Sequence, residues 1–409
     1  MAMPAPESAP GRTRIPRNVS ALSGTSFFND VSSEMILNLL PLFLANVLGA
    51  GTAVIGLIEG VAESTASLLP VFFGGLSDRI GARKPLTVAG YLVSTLAKPL
   101  FLLAESWGMV AGARWADRVG KGVRTAPRDA LVADSIGPSG RGLAFGLHRA
   151  ADTGGAVLGL LVAIAVVAHV QGNASELGRE TFRTLVLVSL VPAFLAVLIV
   201  ALAAKEVRRG AAAGAPRVGF RGLGRRFAVF LATVGLFDLG NSSDAFLVLR
   251  AQERGLGVEG VLWTLVGFNL VYALVATPAG VLSDRIGRRR IITIGWIAYA
   301  GVYLGFALAG SGTEIVALYL CYGVYYGLTM GTAKAMVADL VPVPLRGTAY
   351  GSYHALLGVI NLPASLIAGL LWQGIGSWQG FGPAAPFYFG AATALAAALL
   401  LAAFLRDAE

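Results

Sequence analysis

The stretch Gly74-Gly75-Leu76-Ser77-Asp78-Arg79-Ile80-Gly81-Ala82-Arg83-Lys84-Pro85 decides the fold, because it returns half a chain later. It is a short charged hinge, punctuated by glycine, between two long apolar runs. At an offset of 206 residues (74 to 280) stands Gly280-Val281-Leu282-Ser283-Asp284-Arg285-Ile286-Gly287-Arg288-Arg289-Arg290. The spacing Gly-x-x-x-Asp-Arg-x-Gly is kept, with Gly74, Asp78, Arg79 and Gly81 matching Gly280, Asp284, Arg285 and Gly287. The chain therefore reads as two similar halves, each with its hinge after the second apolar helix.

The echo extends beyond the hinge. Asp134, Arg141, Gly142 and Gly146 match Asp339, Arg346, Gly347 and Gly351 at offset 205. Phe27 and Ser32-Ser33-Glu34 match Phe237 and Ser242-Ser243-Asp244 at offset 210. Small changes of offset fall where loops absorb them.

These residues resemble the signature of the major facilitator superfamily in the loop between helices 2 and 3. The resemblance covers nearly the whole chain. It implies an all-α membrane protein of twelve transmembrane helices in two pseudo-symmetric six-helix bundles, with both termini cytoplasmic. It implies a secondary transporter working by alternating access, with the site between the halves near the midplane. It also assigns Gly74, Asp78, Arg79, Gly81, Arg83, Gly280, Asp284, Arg285 and Gly287 to a gating motif that latches the halves on the cytoplasmic side. A purely topogenic charged loop is the plainer reading of the same residues.

Composition agrees. Of 409 residues, 56% are hydrophobic and 13% charged, about half the ~25% charge of a soluble domain. The mean hydropathy is +0.70. Such a chain is polytopic. Its 53 glycines suit close helix packing. The net charge of +9 lies in loops and points to no nucleic acid. A single cysteine, Cys321, leaves no internal disulfide and no thiolate metal cluster. The start of the chain lacks a signal-peptide core.

Residues 1–19 are polar and Pro-rich and read as a disordered cytoplasmic tail, with Arg12, Arg14 and Arg17. Apolar spans follow at roughly 21–48, 53–75, 86–104, 108–132, 142–169 and 182–204. The break 205–226 is the expected linker between a first bundle, 20–204, and a second, 227–405. The second set of spans runs at roughly 227–250, 258–282, 291–310, 313–336, 347–371 and 386–405. If the spans alternate, Arg79, Arg83, Lys84, Arg141, Arg285, Arg288 and Arg346 share one side with Arg208, Arg209, Arg221 and Arg406. The opposite loops carry chiefly Arg179 and Arg254. By the positive-inside rule the basic side is cytoplasmic, and a bacterial cytoplasmic membrane is the expected location.

The fourth span carries charges that lipid does not tolerate: Arg114, Asp117, Arg118, Lys121, Arg124, Arg128 and Asp129. Each such charge costs about 2.5–3.5 kcal/mol at a helix centre. At about 100° per residue the basic positions fall within about 120° of one another. That face must line water or meet acids. Arg124 and Arg128 also fit simple snorkelling to the headgroups. In the superfamily's drug antiporters a helix-4 arginine sits in a pattern like Arg-x-x-Gln-Gly-x-Gly. Here Asp117 stands for the Gln and Arg118 for the first Gly. The Gly-Pro-x-x-Gly-Gly pattern of antiporter helix 5 is likewise not matched at Gly154-Gly155 and Gly159.

Acidic partners are available. Asp30 and Glu34 are i, i+4 in the first span, and Glu34 counts to the depth of Arg118. Glu59 and Glu63 repeat the spacing in the second span; Asp152 follows His148 in the fifth; Asp238 and Asp244 lie in the seventh. A carboxylate that alternates between a dry site and an arginine loads and releases a proton. Asp30, Glu34 and Asp152 are therefore the expected proton-coupling residues. A permanent ion pair joining helices 1 and 4 stays open as an alternative for Asp30 and Glu34. Arg114, Asp117, Arg118, Lys121, Asp238 and Lys334 are the expected substrate residues. Lys98 and His354 add charge to the spans. Asn269 and Asn361 suit interhelical hydrogen bonds better than ligand contacts.

The function expected is proton-coupled transport of an anionic or zwitterionic small molecule, with efflux favoured. Arginine suits carboxylate and phosphate. The alternative is export of drugs or lipophilic cations, and a more distant one is a non-transporting sensor. No nucleophile–base pair, zinc spacing or P-loop stands out, so neither an enzyme nor a cofactor or metal is expected. The expected partners are substrate, protons and lipid, and the expected state is a monomer.

Overall fold

The computed structural model describes residues 15–137, 140–172, 174–207, 223–342 and 345–404. Arg12, Arg14, Arg208, Arg209, Arg221 and Arg406 lie outside the described residues.

Among the described residues the helices group into twelve spans. The first comprises α1 (Arg17–Leu37), α2 (Leu40–Leu42) and a π-helical turn, Phe43–Val47. The second is α3 (Thr52–Ile80), and the third is α4 (Lys84–Ala97) continued by a 3-10 turn, Lys98–Leu103. The fourth to sixth are α5 (Trp107–Asp134), α6 (Arg141–Val170) and α7 (Arg179–Ala203). The seventh is broken into α8 (Arg225–Gly240) and α9 (Ala245–Glu253). The rest are α10 (Val258–Ile286), α11 (Arg288–Leu308), α12 (Gly312–Asp339), α13 (Arg346–Gln373) and α14 (Ala385–Phe404).

Among the described residues nine helices are long and apolar enough to cross a membrane. The first, fourth and seventh spans fall outside that set. Two are interrupted and one is heavily charged, and all three meet at the same place. The breaks have local causes. Pro41 lacks an N–H and obstructs the preceding turn, while Asn38 bonds back to Glu34. In the seventh span Asn241 folds back on Asp238 Oδ1 at 3.3 Å.

The hinge differs from the expected loop. Asp78 and Arg79 are helical, in the last turns of α3, and the turn itself is Gly81–Arg83. Gly81 takes φ +66° and Gly287 φ +97°, where a side chain would be strained. In both copies the serine of the motif bonds the carbonyl three residues back, Ser77 to Gly74 and Ser283 to Gly280. Arg83 pairs with Asp78 at 3.1 Å and with Asp134. Arg288 pairs with Asp284 at 3.3 Å and with Asp339. These pairs close within each half rather than between halves. Arg79 and Arg285 are exposed.

The halves meet along α3 and α13. A Cβ on Gly56 would collide with the Ser365 carbonyl, so glycine sets that approach. Thr52 bonds Gly369 O at 3.0 Å and Gln373 Oε1 at 2.8 Å, at the end away from the hinges. There α2 packs on α9, and Leu39–Leu44 and Phe246–Leu249 are buried in one apolar cluster that runs through both halves. A second cluster, including Tyr91, Leu131 and Val200, lies within the first half. Toward the hinges Arg149 and Lys334 are exposed.

Candidate functional site

Below the closed end lies a cavity of about 460 Å³, lined from both halves. The first, second and fourth spans give it Asp30, Glu34, Glu59, Glu63, Arg114, Arg118, Lys121 and Arg124. The seventh, eighth and tenth give it Asp244, Phe268, Tyr319, Tyr322 and Tyr326.

The arginines of α5 find acids, but in the second span. Arg114 is bidentate on Glu59, with Nε–Oε1 3.1 Å and Nη2–Oε2 2.7 Å, and it reaches Glu63 at 3.2 Å. Arg118 meets Asp117 at 2.8 Å and Glu63 at 3.4 Å. The expected pairing of Glu34 with Arg118 is not what the structure holds. Glu34 instead accepts from Asn38 Nδ2 at 2.6 Å, and Asp30 from Asn29 Nδ2 at 3.0 Å. The i, i+4 pair of the second span is thus part of the site, although only its spacing marked it. Two guanidinium groups shared by Glu59, Glu63 and Asp117 make a strong, charge-assisted lattice.

Arg124 is buried rather than snorkelling. It donates to Ser94 Oγ at 2.6 Å and lies 4.5 Å from the Tyr91 ring centroid. Arg128 bonds Asp129 at 2.9 Å and Ser26 at 3.3 Å. Lys98, fully inside, bonds Ser32 and Ser33 Oγ, the second at 3.3 Å. Lys121 stands apart. Among the described residues its ammonium has no hydrogen bond or ion pair, and it faces the cavity.

The seventh span corrects one choice of residue. Asp244, not Asp238, lines the cavity; Asp238 lies outside the lining and accepts from Asn241, which is in it. Asp244 accepts from Tyr322 at 2.9 Å and Tyr326 at 3.4 Å. Lys334 and Asp152 also lie outside the lining, and Asp117 sits behind it, orienting Arg118. Asp152 is 3.8 Å from His148 Nε2. Asn361 bonds Ser67 across the halves at 3.3 Å, as interhelical glue, whereas Asn269 bonds its own helix at Leu265.

The second half holds a dense aromatic cluster. Tyr299 stacks on Tyr303 at 4.0 Å, Tyr322 meets Tyr326 at 5.1 Å, and Phe268 meets Tyr326 at 5.3 Å. The signal was available. The serine caps of α5 and α12, Ser106 and Ser311, fix an offset of 205 between those helices. At that offset Lys98, Arg114, Asp117 and Lys121 fall on Tyr303, Tyr319, Tyr322 and Tyr326.

A sequence profile of the Major Facilitator Superfamily matches the chain twice, over residues 22–243 and 227–409. An uncharacterized MFS-type transporter of Methanocaldococcus jannaschii is 36% identical over 391 residues, 94% of each chain. Among solved structures, a mutant of the nucleoside transporter NupG has TM-score 0.77 at 13% identity, covering 95% of this chain and 100% of that one. A D-xylose–proton symporter has TM-score 0.71 at 17% identity, covering 95% and 97%.

Proposed function

The chain belongs to the major facilitator superfamily of secondary transporters, multi-pass membrane proteins and not enzymes, and on that premise we propose proton-coupled exchange of a zwitterionic small molecule. The observation that carries this reading is the division of the cavity carboxylates into two sets. Glu59 and Glu63, backed by Asp117 behind the lining, are held by guanidinium groups, whose charge compensates theirs. Among the described residues Asp30 and Glu34 are hydrogen-bonded by neutral amides only, and Asp244 by neutral phenols. Neutral partners accommodate either the ionised or the protonated acid, so this second set is free to carry a proton. Because Arg114 and Arg118 are already committed, Lys121 is the group that meets the negative end of the substrate.

The cycle follows from competition. A proton and the positive part of a substrate both offset the negative charge of one cavity, so each displaces the other, which favours antiport and efflux. With the basic hinge side taken as cytoplasmic, the Thr52–Gln373 closure seals the cavity from outside. The bundle division at 205–226 then serves as the linker about which the halves rock. The gating role of the hinge residues is part of the same proposal: Arg83 and Arg288 are its centres, because they hold the last turns of the second and eighth spans to the fourth and tenth.

The test uses purified protein in detergent. Carboxylates, amines, zwitterions and neutral sugars are screened for a rise in thermal midpoint, since a ligand of the folded state stabilises it. The best binder is then mixed with protein in weakly buffered solution containing a pH dye. We expect release of about one proton per protein, lost in Glu34→Gln or Asp30→Asn, by binding linkage. Binding with no proton release at any pH between about 5 and 9 would remove proton coupling.

A further inference from the structure

We propose that the tyrosine wall of the second half is a subsite for a cationic amine on a flat, aromatic body, so that the substrate is an aromatic zwitterion lying between Asp244 and Lys121. The inference rests on the transporter reading above and adds the positive pole to it.

Asp244 lies at the break of the seventh span, where the chain leaves α8 and enters α9. Both of its oxygens face phenols, Tyr322 and Tyr326, which are neutral donors. Among the described residues no lysine or arginine pairs with it. Two further carboxylates, Glu63 and Glu34, line the same cavity and bear on it. Glu34 is its counterpart in the first half and opens into the same cavity. Asp244 is therefore a cavity carboxylate with no cation bonded to it among the described residues, a place that a proton or a ligand cation suits.

The rings around that corner suit an amine on an aromatic body. Tyr322, Tyr326 and Phe268 lie 5.1–5.7 Å apart, centroid to centroid, and all three line the cavity. A cation held against such faces gains about 0.5–2 kcal/mol beyond its ion pair. A flat body stacks on the same surface. The Tyr319 hydroxyl is a separate sign. Its residue lines the cavity and is 2% exposed, and the hydroxyl meets no hydrogen-bond partner in the described residues. A buried hydroxyl without a protein partner is open to a hydrogen bond from a water or from a polar group of a ligand. Opposite, Lys121 offers the one cavity ammonium without a bond among the described residues.

A matched series on one ring tests the two poles separately: tyramine, tyrosine and 3-(4-hydroxyphenyl)propionate. Each is titrated into wild-type protein, Asp244→Asn, Tyr326→Phe and Lys121→Gln in detergent, with binding read from thermal midpoint and intrinsic fluorescence. In wild type we expect tyrosine to bind tightest, tyramine next and the acid weakest. Asp244→Asn weakens tyramine and tyrosine about tenfold or more, the loss of roughly 1.4 kcal/mol, and leaves the acid unchanged. Tyr326→Phe keeps the ring and changes amine affinity by a smaller factor. Lys121→Gln weakens tyrosine and the acid but not tyramine. If Asp244→Asn does not fold, the wild-type ranking still decides. The acid binding as well as the amines, or tyramine binding unchanged in Asp244→Asn, overturns the amine subsite while leaving the transporter reading intact. No stabilisation by either amine at about 10 mM likewise overturns it.

Discussion

The fourth and tenth spans are copies of one helix with opposite chemistry. Each begins at a serine cap, runs 28 residues and ends at an aspartate that holds a hinge arginine. Between those ends, Arg114 and Lys121 on one copy face Tyr319 and Tyr326 on the other across the cavity, while Asp117 stands behind the wall that its counterpart Tyr322 lines. The frame was duplicated and kept, while the wall was rewritten. Ion pairs and rings solve the same problem, a polar cavity inside an apolar bundle, by different physics. An ion pair demands both partners, because a lone buried charge has no substitute for water. A ring cluster shares its stabilisation among many contacts, so losing one member costs only that member's packing. The first half should therefore be brittle at its cavity wall and the second half tolerant.

The largest effect tests that contrast with one substitution at equivalent positions. Arg114→Leu leaves Glu59, 3% exposed, without its bidentate partner. Removing one member of a buried pair costs about 3–5 kcal/mol. Tyr319→Leu removes a ring whose hydroxyl has no protein bond, a loss of about 2 kcal/mol through packing. Apparent thermal midpoints in detergent should fall much further for Arg114→Leu. Replacing Glu59 and Arg114 together by Leu should recover most of the loss. Equal falls for the two single variants would mean that charge and ring walls are equally brittle.

How much of this was legible in the sequence follows the same division. Helix positions were legible from runs of apolar residues even where the first, fourth and seventh spans are broken or charged, and the expected boundaries fall within a few residues of those seen. The hinge was legible because its glycines and charges recur. The breaks at Asn38 and Asn241 were not, since they arise from side chains folding back on the helix. The partners of Arg114 were half visible. The i, i+4 pair Glu59 and Glu63 stood out, but one sequence gives depth along a helix and not which neighbour its face meets. That is why Glu34 was set against Arg118, when α3 and not α1 supplies the acids. The sequence does not separate Asp238 from Asp244 for a related reason: the break at 241–244 turns the second aspartate, not the first, into the cavity. The tyrosine wall was readable only by laying α5 on α12 at offset 205.

A second, smaller asymmetry sharpens the comparison at the hinges. Arg83 and Arg288 play one role at offset 205, one residue out of step with the motif, because the second hinge is shorter. Both hinges are also tied to the far end of their own half, Lys84 to Ala201 O and Arg289 to Ala402 O. The first is the drier: the Asp134 side chain is 4% exposed and Asp339 49%. Arg83→Ala should lower stability by about 2 kcal/mol, since a buried carboxylate loses a cation. Arg288→Ala should cost under about 1 kcal/mol, as solvent screens its pairs. Midpoints measured at low and high salt should converge for Arg288→Ala and stay apart for Arg83→Ala.

The smallest effect lies at the helix caps, where the two copies agree most. Ser106 and Ser311 each accept a backbone N–H at 3.4 Å, from Met109 and Glu314. The residue at the third position differs. Glu314 also accepts from Gly310 N at 2.9 Å and from Ser311 Oγ at 3.1 Å, so Ser311-x-x-Glu314 is a variant of the capping box. Met109 offers nothing comparable. When Ser311 becomes Ala, the Glu314 carboxylate remains beside the freed N–H groups and the positive end of the helix. When Ser106 becomes Ala, no carboxylate takes over in the first turn. We therefore expect Ser106→Ala to cost about 1 kcal/mol and Ser311→Ala about half that. Adding Glu314→Gln to Ser311→Ala should bring the second helix level with the first. A larger loss at Ser311 alone would mean that the serine orders the carboxylate and is not merely backed up by it.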